Sequence, residues 1–371
     1  MINTTIFGNK IDNNRFGAID TKIRIAYITS CREVGLDELI GREIVDPING
    51  LNYGYRAGNL ENMARILMQG DSEFASNFEL VSVLVDDNSE QYRDAWSQAE
   101  LWPRDLQVPL TEDGLTFTRS LEDITTRIPS QPWKSMRRMQ EESRTDFRAR
   151  KAHAKALYEA AIVSQLISDD VDILISDSYT TIFGPTVLNH YGGLILNIHP
   201  AITAVGHPDR LPGLTPTRDA FTRAMYGHVI VSDKHAVDTP DGPRVEVEYE
   251  GQQYTAVIVP QSTRHGVTVH VVSEAVDNGP VVLCDEYDIN DICRKHGIHM
   301  DDITPEAIRD HNYDLKRDIL QAALFEYSRR PEVQQQIEAR RETNRPLIEV
   351  FQTNDVPAIP QTLTGVIAYE H

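Results

Sequence analysis

Gly193-Leu194-Ile195-Leu196-Asn197-Ile198-His199-Pro200 is the stretch that decides the fold. Its apolar first half is typical of a strand buried in a sheet, and its polar second half comes where that strand ends. Asn197 and His199 lie two residues apart, so an extended chain points both side chains to the same side. In open α/β sheets, ligands bind beyond the carboxyl ends of the strands. The stretch therefore indicates a catalytic centre, although a purely structural His199 also fits the stretch taken alone.

Strand and helix patterns alternate on both sides of this stretch. Apolar runs predict strands over residues 22–30, 78–85, 172–176, 193–198, 267–272 and 281–283. Helical spacing predicts helices over residues 60–68, 148–167, 185–191 and 217–225, and Asn59 is the expected N-cap of the first. A hairpin is expected within residues 228–254, with its turn at Asp241-Gly242. This order of elements predicts an α/β fold with a Rossmann-like, mostly parallel sheet.

The predicted elements divide the chain into three parts. Residues 1–21 form an N-terminal arm, residues 22–290 form the α/β domain, and residues 291–371 form a helical C-terminal extension. In the extension, charged helices are expected over residues 305–308, 315–327 and 331–341.

The bulk composition excludes some classes of partner. A formal net charge of -20 would repel nucleic acids and anionic membranes. No apolar run approaches the roughly 18 residues of a membrane span, and the N-terminus lacks a signal-peptide pattern. Cys31, Cys284 and Cys293 follow no zinc spacing, and their odd number disfavours a disulfide framework. We expect a cytoplasmic protein that acts on a small molecule, without nucleic-acid or membrane partners; formation of a homo-oligomer stays open.

A second polar cluster follows later in the chain. It consists of His265-Gly266-Val267-Thr268-Val269-His270-Val271-Val272 and, after it, Asp277-Asn278-Gly279-Pro280. A strand ends here, a carboxylate follows on the loop, and Gly-Pro turns the chain into the next strand. The Asp277 carboxylate could raise the pKa of His199, stabilise its charged form and hold a water for proton transfer.

In their order along the chain, these motifs resemble the folate-dependent formyltransferases. The motifs are Leu196-Asn197-Ile198-His199-Pro200, Pro212-Gly213-Leu214, Arg218 with Ala220, His265-Gly266-x-Thr268-Val269-His270 and Asp277-x-Gly279-Pro280. Within that family the chain is most similar to the phosphoribosylglycinamide formyltransferase branch. The resemblance covers residues 22–289 and implies the formyltransferase type of α/β sheet.

The resemblance implies an enzyme that moves a formyl group from 10-formyltetrahydrofolate to an amine, with no metal. It assigns the catalytic roles to Asn197, His199 and Asp277. Asn197 and protonated His199 would stabilise the oxyanion that forms when the amine attacks the formyl carbon. Asp277 would hold His199 charged and help to pass a proton to the leaving N10.

The same resemblance implies where the two substrates bind. The folate is expected against the segment after the third strand and against the loop that carries the aspartate, at Thr180, Thr181, Ile182, Phe183 and Val276. Ile182 and Phe183 could equally be core residues. The acceptor is expected at Gly58, Asn59, Pro200 and Gly213. Gly58 and Asn59 could cradle a phosphate at the start of a helix, or form an ordinary helix cap.

The chain departs from the family where the acceptor would be identified. Insertions are expected at about 31–57, 88–147 and 228–262, and residues 201–212 form a lengthened loop. In that loop, His207 and Arg210 could contact substrate or simply be polar loop residues. The acceptor therefore stays open between glycinamide ribonucleotide, which would indicate purine biosynthesis, and a specialised metabolite.

Two other functions compete with formyl transfer. A formyltetrahydrofolate hydrolase could use the same scaffold to release formate. A metal-binding or purely binding role would use His199, His207, His265 and His270, but these histidines lack the close helical spacing of common metal sites.

Overall fold

The computed structural model describes residues 22–30, 43–45, 52–54, 58–70, 72–86, 106–112, 115–213, 215–231 and 241–353. The predicted arm at residues 1–21 and most of the predicted insertion at 31–57 lie outside the described residues.

The described elements are numbered here in chain order. The strands are β1 Ile23–Thr29, β2 Glu43–Val45, β3 Asn52–Gly54, β4 Phe78–Val85, β5 Gln107–Glu112, β6 Leu115–Ser120, β7 Thr125–Arg127, β8 Ile173–Asp177, β9 Ile195–His199, β10 His228–Ile230, β11 Arg244–Tyr249, β12 Gln252–Ile258, β13 Arg264–Val271 and β14 Val281–Asp288. The helices are α1 Asn59–Met68, α2 Glu73–Asn77, α3 Gln131–Lys134, α4 Arg144–Ser168, α5 Pro185–Tyr191, α6 Pro216–Tyr226, α7 Ile289–His296, α8 Pro305–Ser328 and α9 Pro331–Thr353.

A seven-stranded sheet in the order β14-β13-β9-β8-β1-β4-β7 forms the centre of the fold. The five strands from β9 to β7 are parallel, and β13 and β14 add an antiparallel edge. The interior strands β1, β4 and β8 are buried along almost their whole length, as expected for parallel strands whose two faces are both covered. The predicted mostly parallel α/β sheet is confirmed.

The C-terminal helices share the core of this sheet. Helix α8 packs against β13 and β14, and α9 packs against α4 and α8. Ile319, Leu320 and Leu324 of α8 and Ile337 of α9 lie in the main hydrophobic core. The division of the chain at residue 290 stays a prediction.

Helix α8 is one continuous helix, so the predicted break between residues 308 and 315 was wrong. Asn312 and Lys316 lie on its buried face, and each is less than 5% exposed. Their polarity interrupts the apolar stripe from which the helix was predicted.

The predicted position of the hairpin turn and the predicted N-cap of α1 were also wrong. Asp241-Gly242 precede β11, and the hairpin instead turns at Glu250-Gly251 between β11 and β12. Both residues have positive φ, 52° and 74°, as the two central residues of a type I′ turn require. At α1, Gly58 is the N-cap and Asn59 is the first helical residue.

A buried carboxylate joins the sheet to the last helix. Asp172, fully buried at the start of β8, accepts hydrogen bonds from the backbone N–H of Arg24 (2.8 Å) and from Nε of Arg341 (2.7 Å). Burial raises the pKa of Asp172, and the Arg341 guanidinium counteracts this increase. The contact connects β1, β8 and α9.

We predict that Arg341→Ala destabilises the protein, because it leaves Asp172 buried without its cation. The expected loss in the free energy of unfolding is about 3 kcal/mol, at the low end for a broken buried pair because Arg341 is partly exposed. Urea unfolding measures the loss. Glu342→Ala, an exposed position on the same helix, is the control and should change stability by less than about 0.5 kcal/mol. Equal stabilities for the two variants would contradict the prediction.

Candidate active site

The order of the strands creates a crevice at the carboxyl ends of β1 and β8. From β1 the chain continues to β4 on one side, and it later returns to β8 on the other side. Such a switch point is where open α/β sheets bind ligands. The two strand ends are connected by a hydrogen bond from the N–H of Ser30 to the carbonyl of Ser178, at 3.3 Å.

Strand β9 presents Asn197 and His199 beside this crevice. It pairs with β8 in parallel, and with β13 in antiparallel register. That register sets Asn197 opposite His270 and His199 opposite Thr268. His199 is buried, with a side chain 7% exposed, and Asn197 is half-buried.

Asp277 is the group on which these side chains converge. Its Oδ2 accepts the N–H of Gly213 at 2.8 Å and lies 3.5 Å from Nδ1 of His199. Its Oδ1 lies 3.4 Å from Nδ2 of Asn197 and 3.4 Å from Nε2 of His270. The other two residues predicted as catalytic, Asn197 and His199, therefore lie within 3.5 Å of the Asp277 carboxylate.

His270 is a site residue to which the sequence analysis gave no catalytic role. Its Nδ1 lies 3.1 Å from the carbonyl of Val271, which can only accept, so Nδ1 carries the proton. Nε2 of His270 lies 3.1 Å from Nδ2 of Asn197 and accepts this amide when only Nδ1 carries a proton. His270 thereby orients the Asn197 amide. The alternating pattern of β13 could have indicated which side of the sheet His270 faces, since alternate residues such as Thr268 and His270 point to the same side.

The protonation of His199 differs from the expectation. Burial lowers the pKa of His199, and the Asp277 carboxylate only partly restores it. The expected effect of Asp277, which raises the pKa of His199, is present, but the expectation of a charged ring was wrong because it neglected the opposing loss of solvent. Nε2 of His199 lies 3.1 Å from the carbonyl of Leu211, so Nε2 carries the proton of the neutral ring. Nδ1, which faces Asp277, is then the unprotonated nitrogen.

Asp277 itself is an anion at neutral pH. Burial would raise its pKa, but the positive charge that His199 carries once it is protonated, together with the Gly213 N–H, holds the pKa well below its usual range. His199 can therefore gain a proton on Nδ1 beside a permanent negative charge.

The loop that carries Asp277 is held in place by Arg210. Nη2 of Arg210 donates to the carbonyl of Asp277 (3.1 Å) and to Oδ1 of Asn278 (3.3 Å), and Nε donates to the carbonyl of Thr203 (3.0 Å). Asp277 has φ of 49°, a conformation that residues other than glycine rarely adopt. Arg210 thus connects the lengthened loop at residues 201–212 to the loop that carries Asp277. We had expected Arg210 to contact substrate or to be simply a polar loop residue.

The segment predicted to bind folate begins at the carboxyl end of β8. Thr180 donates its N–H to Oγ of Ser30 at 2.8 Å, and Thr181 donates its hydroxyl to the buried Asp86 at 2.9 Å. Gly184 donates its N–H to Glu159 at 2.7 Å, and a Cβ there would lie 2.5 Å from that carboxylate. The segment is thus fixed by three hydrogen bonds to other elements.

The two apolar residues of this segment differ in exposure. Phe183 is buried in the core and stacks on Tyr179, with ring centroids 4.8 Å apart, which supports the core interpretation for this residue. Ile182 is 47% exposed and can contact a ligand. Val276 is half-buried on the Asp277 loop. Folate contacts at these positions stay a prediction.

The residues predicted to bind the acceptor already contact protein groups. The N–H of Gly58 donates to Glu61, and the amide of Asn59 donates to Asp177. The N–H of Gly213 donates to Asp277, and the carbonyl of Pro200 accepts from Asn312 at 3.4 Å. A direct acceptor contact at any of these residues stays a prediction.

The histidines considered for a metal site have separate environments. His265 is fully buried next to Nδ2 of Asn312 (3.3 Å), and His207 lies 3.5 Å from Glu286. Within the described ranges, no group of three or more His, Cys, Asp or Glu side chains is arranged to hold a metal ion.

In the same part of the chain, none of the helices has the length and apolar character needed to cross a membrane.

We predict that Arg210→Ala lowers the pKa of His199. Without Arg210 the Asp277 carboxylate can leave His199, and this carboxylate raises the pKa of the imidazole. Mere loss of a nearby cation would raise that pKa instead, so the direction of the shift distinguishes the two effects. NMR titration of His199 measures it, with the exposed Arg294→Ala as the control. A raised or unchanged pKa would show that Arg210 does not position Asp277.

Comparison with known proteins gives matches in sequence and in structure. No model of a protein family matches the chain. The chain is 27% identical to phosphoribosylglycinamide formyltransferase of Bacillus subtilis over 136 residues, which are 37% of this chain and 48% of that protein. The match thus spans about half the length of this relative.

Two of the structural matches are formyltransferases as well. PvdF of pyoverdin biosynthesis, an N10-formyltetrahydrofolate-dependent formyltransferase, is 21% identical and covers 82% of this chain and 99% of its own, with a TM-score of 0.55. Phosphoribosylglycinamide formyltransferase from Streptococcus pneumoniae is 18% identical and covers 81% of this chain and 97% of its own, with a TM-score of 0.39. The predicted resemblance is thereby confirmed: the chain is similar in sequence to a formyltransferase and has the formyltransferase fold.

Proposed function

We propose that this chain is an N-formyltransferase that moves a formyl group from 10-formyltetrahydrofolate to the amine of a small-molecule acceptor. Sequence similarity to phosphoribosylglycinamide formyltransferase and the fold shared with PvdF, a formyltetrahydrofolate-dependent enzyme, support this proposal. Both relatives are named as transferases, which favours transfer over hydrolysis.

One observation carries the proposal. The Asp277 carboxylate contacts the Asn197 amide and both His199 and His270 at the carboxyl edge of the sheet. This combination supplies an amide donor for a developing oxyanion and an imidazole next to a permanent anion for proton transfer.

The proton is handled by His199 and Asp277. The amine nitrogen forms a bond to the formyl carbon, the carbonyl π electrons move to oxygen, and the amine becomes acidic. Nδ1 of neutral His199 takes the proton that the amine loses, and Asp277 stabilises the resulting imidazolium. The bond from the formyl carbon to N10 then breaks, and His199 returns the proton to N10. The donor leaves as tetrahydrofolate, and the enzyme regains its initial protonation.

Asn197 stabilises the negative oxygen between these two steps. Its amide has two N–H donors, which are directed at His270 and at Asp277 before substrate binds. The contact to Asp277 is long, at 3.4 Å, and it is therefore the contact that gives way to a developing oxyanion. His270 keeps the amide oriented during this exchange.

Two classes of acceptor fit the comparisons. One is glycinamide ribonucleotide, in purine biosynthesis, and the other is a specialised metabolite, as expected for a relative of an enzyme of pyoverdin biosynthesis. The reaction uses soluble small molecules, so we also propose a cytoplasmic location. Formation of a homo-oligomer stays open.

The proposed function is tested by incubating the full chain with 10-formyltetrahydrofolate and a panel of amines. We expect a formylated amine, detected by mass spectrometry, in amounts that match the tetrahydrofolate produced. Formate release at a rate independent of any added amine would instead indicate the hydrolase and would contradict transfer.

We predict that Asn197→Ala, His199→Ala and Asp277→Ala each remove most of the transfer activity. Loss of an oxyanion donor at Asn197 should lower kcat by about 100-fold or more. Loss of the proton carrier at His199 should lower it by roughly 100- to 10,000-fold. Steady-state kinetics measure these losses, and circular dichroism checks the fold. Turnover close to that of the wild type in any of the three variants would refute the mechanism.

We predict an acidic limb in the pH profile that belongs to His199. Neutral His199 is the active form, so kcat/KM should rise with pH and level off above a pKa lower than the ordinary 6.5. Asp277→Asn should move this limb to lower pH, because the carboxylate raises the pKa of His199, and should also reduce the plateau. The exposed Asp301→Asn is a charge-matched control that should leave the profile unchanged. A limb that stays in place in Asp277→Asn would assign it to another group.

A further inference from the structure

Helix α8 packs on β13 and β14, and two of its side chains reach the two ends of the neighbouring strand β9. At the start of β9, Tyr327 donates its hydroxyl to the carbonyl of Gly193. At the exit of β9, Nδ2 of Asn312 donates to the carbonyl of Pro200, 3.4 Å away. Positions 312 and 327 lie roughly 22 Å apart along a helix, and positions 193 and 200 lie roughly 23 Å apart along a strand. The spacing of the two contacts on α8 therefore matches the length of the strand that carries His199.

The amide of Asn312 has a fixed orientation. Its Oδ1 accepts the hydroxyl of Tyr287 at 2.8 Å, and burial raises the pKa of Tyr287, so this hydroxyl keeps its proton. Because Oδ1 is engaged by Tyr287, Nδ2 faces the Pro200 carbonyl and lies 3.3 Å from Nε2 of His265. Asn312 is only 2% exposed, so these protein groups and not a substrate are its partners.

The carbonyl of Pro200 lies where the chain leaves the sheet. Pairing of β9 with β13 ends at His199, which is opposite Thr268. The next two carbonyls accept hydrogen bonds from side chains: Pro200 accepts from Asn312, and Ala201 accepts the Thr268 hydroxyl at 2.7 Å. These two side chains therefore fix the direction in which the chain continues beyond His199.

The ring of His199 depends on that direction. Its Nε2 lies 3.1 Å from the Leu211 carbonyl, and its Nδ1 lies 3.5 Å from the Asp277 carboxylate. Both partners belong to segments other than β9, so a shift of the strand exit would move the ring relative to both of them. A displacement of about 1 Å of a reacting group can lower a rate by roughly 100-fold.

We infer that Asn312 is a positioning residue for His199: it holds the Pro200 carbonyl and thereby fixes the exit of the strand that carries the imidazole. The inference rests on the proposed function and deepens it, because it makes a helix of the C-terminal extension part of the active site. Asn312 takes no part in the proton transfer and acts only through the position of His199.

Three variants of the full chain separate positioning from a general effect on stability. Asn312→Leu replaces the amide by an apolar side chain of similar size, and Tyr287→Phe removes only the hydroxyl that orients the amide. Tyr327→Phe is the matched control, because it removes the same group from a contact at the other end of β9, about 20 Å along the strand from His199. If Asn312→Leu does not fold, the comparison of the two Tyr→Phe variants decides the question.

We expect Asn312→Leu to lower kcat by roughly 10- to 100-fold, Tyr287→Phe to lower it less, and Tyr327→Phe to leave it unchanged. KM should stay the same for both substrates, because Asn312 is too deeply buried to contact them. An unchanged kcat in Asn312→Leu and Tyr287→Phe would overturn the inference. An equal loss in Tyr287→Phe and Tyr327→Phe, or a raised KM at unchanged kcat, would overturn it as well.

The pKa of His199, measured by NMR titration, tests the inference without turnover. Asparagine and leucine are both uncharged, so a change of this pKa in Asn312→Leu reports a changed burial of the ring or a changed distance to Asp277. We expect such a change in Asn312→Leu and none in Tyr327→Phe, and the same pKa in both variants would overturn the inference. Failure of the proposed function would be recognised separately, because no amine of the panel would then be formylated whatever the titration gave.

Discussion

The position of the Asp277 carboxylate is the constraint on which the rest of the site depends. Its backbone adopts a φ of 49°, which is uncommon for a residue other than glycine. Arg210 fixes its carbonyl, Gly213 fixes its side chain, and a Cβ at Gly279 would collide with the Val271 carbonyl. The loop therefore has one conformation in which the carboxylate reaches strands β9 and β13 together.

Buried carboxylates fix the segment after β8 in the same way. Asp86 accepts the hydroxyl of Thr181 and pairs with Lys134 at 3.5 Å, and Glu159 accepts the N–H of Gly184. Each carboxylate accepts a hydrogen bond from a polar group of this irregular segment. Without that bond, the polar group would be buried away from water and left without a hydrogen-bond partner. The segment after β8 is consequently ordered before any ligand binds, and preorganisation of this kind reduces the entropy that binding must overcome.

The sequence predicted the sheet because its strands are continuous apolar runs. Strand ends and a Gly-Pro turn indicated Asn197, His199 and Asp277 as candidate site residues, and the family resemblance implied their catalytic roles. The sequence did not predict the position of His270, which depends on contacts rather than on local pattern. The effect of His270 follows from its register with Asn197. The lowered pKa of His199 was missed for a related reason, since burial at this depth is a property of the packed fold.

In the part of the chain that the structure describes, the Asp277 carboxylate contacts side chains of β9 and β13 and no residue of α1 or of the segment after β8. In the proposed mechanism, the contacts that bind the rest of the acceptor also have to orient its amine for attack, because remote binding energy is what positions a reacting group. Acceptor specificity in this fold can therefore change through the loops around the crevice while Asn197, His199 and Asp277 stay in place.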